Sequence, residues 1–87
     1  MTRDEFIENN KHLFWYINKD KLPEISNDVL VEFIFNYGQW EDIKQLVKII
    51  GFKELKRVYQ NIKGRQIGNY IPEMYDLLER IVTKYAY

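Results

Sequence analysis

Lys53, Lys56, Arg57, Lys63 and Arg65 form the one grouping in this chain whose residue types and spacing could do chemistry. On a helix, Lys53, Lys56 and Arg57 fall at i, i+3 and i+4, with Gln60 at i+7 and Lys63 at i+10. They lie opposite an apolar stripe of Leu55, Val58, Tyr59 and Ile62, and Arg65 follows in a loop. A positive strip after a helix and a glycine turn invites a helix-turn-helix reading, in which cations meet phosphate oxygens. The helical phase argues against it. The turn glycine of that motif stands about six residues before a buried apolar position, and the residue six after Gly51 is Arg57. The strip also lacks the Asn, Ser and Thr that join Arg at base edges. A solvated face is the simpler reading; nucleic acid or another acidic partner is the functional one.

Other reactive groups are sparse. His12 is the sole histidine and no cysteine can join it in a metal site, so it reads as an exposed or capping imidazole. The acid pairs Asp4-Glu5 and Glu41-Asp42 sit where first helical turns favour carboxylates. Ser26 is the only serine and has no histidine near it in sequence. Gly38, Gly51, Gly64 and Gly68 do not form a phosphate-cradling loop. No enzyme, cofactor or metal is expected. Phe14-Trp15-Tyr16 could serve as an interface hot spot, but an anchor for the N-terminal segment is the simpler role.

The elements that must position these groups are helices. Val29 to Tyr37 is the most apolar run, and a buried strand competes with a helix there. Asp28, Glu32 and Asn36 decide it: spaced by four, they make one narrow polar edge on a helix and spoil the alternation of a strand. Ser26 and Asn27 suit an N-cap, and Gly38 suits a left-handed C′ position. Thr2-x-x-Glu5 is a capping box opening a first helix, with Phe6 and Ile7 and further on Leu13, Phe14 and Ile17, either continuous or broken near Asn9-Asn10. Residues 18–25 connect it to the central helix, with Pro23 pushing Leu22 out of helical geometry.

Ile43, Leu46, Val47 and Ile50, with Trp40 a turn earlier, predict a helix over about Trp40 to Ile50, stopped at Gly51. Another runs from about Lys53 to Lys63 and stops at Gly64. Arg65 to Ile71 reads as a loop. A last helix from Pro72 carries Met74, Leu77, Leu78, Ile81, Val82 and Tyr85 on one face. The expectation is an all-α fold, a compact orthogonal bundle of about five short helices, forming a single helical domain over residues 1–87.

Composition fits that size. Two Trp, five Phe and seven Tyr among 87 residues supply a core, and the absence of cysteine fits a reducing, cytoplasmic setting. Met1-Thr2-Arg3-Asp4-Glu5 is not a signal-peptide start, and no apolar stretch approaches the roughly 20 residues that span a bilayer, so no membrane association is expected. The net charge is zero but unevenly spread. Residues 1–43 hold four basic groups against nine acidic ones, and residues 44–87 hold nine against four. The two halves can neutralise one another in the fold or mark an acidic partner. A homodimer is a further expectation from the aromatic content.

Several short motifs have a familiar arrangement. Leu13-Phe14-Trp15, Phe35-Asn36-Tyr37-Gly38, Glu41-Asp42-Ile43 with Leu46, and Ile50-Gly51 with Leu55 and Val58 resemble a family of small bacterial proteins. Arg65 with Asn69-Tyr70 is similar to that family's downstream Arg…Asn-aromatic element. Tyr16 stands where the family tends to have Asp, and Ile71 where it tends to have Trp. Members are often encoded beside nucleotidyltransferase-type toxins of abortive-infection systems. The resemblance implies an antitoxin-like, non-enzymatic partner of such a toxin and brings no catalytic residues. A small DNA- or RNA-binding domain using the basic strip is the alternative.

Overall fold

A computed structural model describes residues 2–14, 17, 19–62 and 64–85. Helix α1, Arg3–Asn9, opens with the expected capping box: Thr2 Oγ1 accepts from the Glu5 amide, and the Glu5 carboxylate accepts from the Thr2 amide. It breaks at Asn9-Asn10, one of the two courses left open by the sequence. Asn10 is buried, and its side-chain amide donates to the Phe6 carbonyl at 3.0 Å while its backbone N–H also turns back to Phe6. Those bonds satisfy terminal carbonyls that a continuing helix would use. The chain tightens into a 3-10 turn, Lys11–Phe14, which drops Phe14 into the core edge-on to Phe33, 5.2 Å between centroids. A second 3-10 turn, Lys19–Glu24, buries Leu22 and corrects the expectation that Pro23 would push it out of helical geometry.

Helix α2, Asn27–Tyr37, is the centre of the molecule. Ser26 caps it through the Val29 amide, and Leu30, Val31, Ile34 and Phe35 are completely buried. A helix apolar on all but one edge must be covered by neighbours, and α3, α4 and the Lys11–Phe14 turn cover it. Gly38 corrects the expectation of a left-handed cap. Its φ is −81°, an extended conformation open to any residue. The glycine is needed for space, because a Cβ there would lie 2.7 Å from the Ile34 carbonyl oxygen.

Helix α3, Trp40–Asn61, spans the two helices expected there and keeps the break expected at Gly51; counted as one element, it leaves four α-helices among the described residues rather than about five. Gly51 interrupts α3 with φ 83°, ψ 159°, a region open essentially only to glycine. One residue absorbs the break, and helix resumes at once. The C-terminal end falls at Asn61, ahead of Gly64, which instead begins a 3-10 turn, Gly64–Asn69, within the expected loop. Helix α4, Pro72–Tyr85, buries Leu78, Ile81 and Val82.

The fold is all-helical, with no strand among the described residues. No helix among them is long and apolar enough to cross a membrane.

Candidate docking surface

The polar edge of α2 turns inward to the rest of the chain. Asn36 sits where the Gly64–Asn69 turn meets α4. Its side-chain amide donates to the Asn69 carbonyl at 2.8 Å, and its carbonyl oxygen accepts from the Ile71 amide at 2.9 Å. Glu32, one turn earlier, accepts from the Asn69 side chain, yet burial wins and raises its pKa. Tyr70 is buried beside this edge; its hydroxyl has no hydrogen-bond partner among the described residues, and burial first, then the Glu32 charge, pushes its pKa up.

Asp28, the first residue of that edge, receives the centre of the basic strip. Arg57 donates to Asp28 at 2.9 Å and grips Glu54 with two bonds of 2.6 and 2.9 Å. The network continues outward: Asn27 donates to Glu54 at 2.6 Å, and Arg3 donates to Asn27 at 2.8 Å and to the Ile25 carbonyl. The Arg57 hydrogen bonds, then that from Asn27, hold the Glu54 carboxyl at about 2, and Glu54 followed by Asp28 raises the Arg57 guanidinium. Acidic and basic halves of the sequence thus meet across this network. Of the remaining strip residues, Lys53 is exposed and Lys56 half-buried. Lys63 and the Arg65 side chain lie outside the described part of the structure, as do Trp15 and Tyr16.

His12 is exposed in the Lys11–Phe14 turn. Among the described residues no group of three His, Cys, Asp or Glu side chains could hold a metal ion.

A different surface was missed by sequence reasoning. Trp40, expected to share the buried stripe of Ile43 and Val47, is 53% exposed, and Phe52 is 40% exposed. With Ile43, Lys44, Val47, Lys48 and Ile81 they line a groove of about 360 Å³ between the first half of α3 and α4. The Gly51 break places Phe52 at this groove, one residue after the helix changes course. The available signal was the position of both aromatics, one opening a helix and the other following its glycine. Periodicity identifies a shared face but not how far a neighbouring helix covers it.

No family model, curated protein sequence or solved structure matches the chain.

Proposed function

We propose that this chain is a non-enzymatic interaction module that docks a protein partner on the Trp40–Phe52 groove. The supporting observation is the pair of large exposed aromatics bordering an apolar groove. Tryptophan in a pocket that loses water on binding is a frequent energetic anchor of protein interfaces, and contiguous exposed apolar surface marks interaction sites. The sequence resemblance adds the partner class: a nucleotidyltransferase toxin occluded by a preformed helical surface, in the cytoplasm. The Lys53–Arg65 strip supplies long-range attraction at most in this reading, because its central arginine is committed to Asp28 and Glu54.

The test is co-purification from the native host with mass spectrometry. A stoichiometric protein retained by Lys56→Ala/Arg57→Ala and lost with Trp40→Ala/Phe52→Ala is the expected result. Salt-dependent duplex DNA binding whose slope falls with Lys56→Ala/Arg57→Ala, and no protein partner, would overturn it in favour of a nucleic-acid-binding domain.

A further inference from the structure

We propose that the occupant of the Trp40–Phe52 groove is an acidic amphipathic helix of a partner protein. This inference rests on the docking reading above and adds the chemistry of the partner. The groove runs between two helices and is lined by aromatic and aliphatic side chains, the geometry that accepts the apolar face of a third helix. Among the described residues its only charged lining residues are Lys44 and Lys48. Four residues apart on α3, they are exposed neighbours along the rim. Lys44 pairs with Glu41 at 2.9 Å, but both side chains are largely exposed, and such a pair is easily exchanged. Trp40 to Lys48 spans about 12 Å of helix, the length of two to three turns in a partner. Carboxylates spaced one turn apart beside an apolar stripe would meet both lysines.

The same charges disfavour a second copy of this chain. A two-fold interface brings the same patch from both sides, so four lysines would gather around one apolar centre, with Glu41 of each copy beside them. They also disfavour a nucleic-acid backbone, which needs a denser array of donors than two lysines around aliphatic carbon.

The experiment is selection from a displayed library of helical peptides of about 14 residues, long enough to cover the groove. Each carries a leucine stripe at i, i+3, i+4 and i+7, with the flanking positions randomised. Selection uses the whole chain, in parallel with Trp40→Ala/Phe52→Ala and Lys44→Glu/Lys48→Glu chains; every substituted side chain is exposed, and urea midpoints verify the fold. The expected result is enrichment of Asp and Glu at the flanks, with binding weakened at least about tenfold by either double substitution. Lys44→Glu/Lys48→Glu should select basic flanks instead. Peptides that need Trp40 and Phe52 but show no flank preference, or basic flanks, would overturn the acidic partner and leave the docking surface standing. Failure to select any peptide that distinguishes wild type from Trp40→Ala/Phe52→Ala would overturn the docking surface itself. Self-association of the wild-type chain abolished by Trp40→Ala would replace the acidic helix by a second copy.

Discussion

The two halves of α3 on either side of Gly51 use their outer faces in opposite ways. After the break, Glu54 and Arg57 turn toward Asp28 and Asn27 and close a network within the molecule. Before it, Trp40, Lys44 and Lys48 stand exposed around an apolar groove. The half richer in eye-catching charge spends its arginine on stability. The half that looked like ordinary amphipathic helix presents the surface. Density of like charge along a helix therefore says little about availability until the acids of the other elements have been placed around it.

The halves should behave alike where they face the core. Leu46 and Leu55 are each completely buried, so Leu46→Ala and Leu55→Ala should each cost about 2–5 kcal/mol in urea unfolding. A much smaller loss at Leu46 would mean that the first half is peripheral, and the comparison would fail. Next in size is the joint between them. Nothing lies within 4 Å of a Cβ built on Gly51, so Gly51→Ala meets strain alone. It should cost about 1–3 kcal/mol and should weaken any groove ligand, because Phe52 follows the break. Asn36→Ala removes two bonds that fix the start of α4, at about 1–2 kcal/mol in the same unfolding measurement.

The smallest stability effects come from titration. Glu54 has a folded pKa of about 2, below the roughly 4.3 of an unfolded glutamate. Its contribution is therefore complete above that unfolded value and is lost as pH falls toward 2. Glu54→Gln should lower the urea midpoint at pH 7 and flatten its fall in acid. Glu32 has the opposite sign: burial raises its pKa, so its charge opposes folding at neutral pH and the penalty disappears as the carboxyl protonates. Glu32→Gln should raise the midpoint at pH 7 and leave it little changed in acid. Opposite pH trends for two carboxylates on neighbouring helices would separate the exposed network from the buried polar edge.

Much of this architecture was legible in the chain. Residues spaced by four settled α2, Thr2 and Glu5 marked the start of α1, and the stripe from Met74 to Tyr85 defined α4. What was not legible depended on distant partners. Gly51 marked the break within α3, but not that helix resumes at the very next residue. Gly38 reads as a left-handed cap until the Ile34 carbonyl is found against it. Arg57 looks available until Asp28, on another helix, is placed beside it. Trp40 carries the right period for burial, but its exposure depends on how far its neighbours reach.

The central claim is a division of labour between the halves of α3. Titration of a purified binding partner into three chains, wild type, Trp40→Ala/Phe52→Ala and Lys56→Ala/Arg57→Ala, with urea midpoints measured on the same samples, tests it most directly. The account predicts at least about tenfold weaker binding and a near-normal midpoint for the first double variant. It predicts unchanged binding and a lowered midpoint for the second. Binding lost with Lys56 and Arg57 but kept without Trp40 and Phe52 would contradict it.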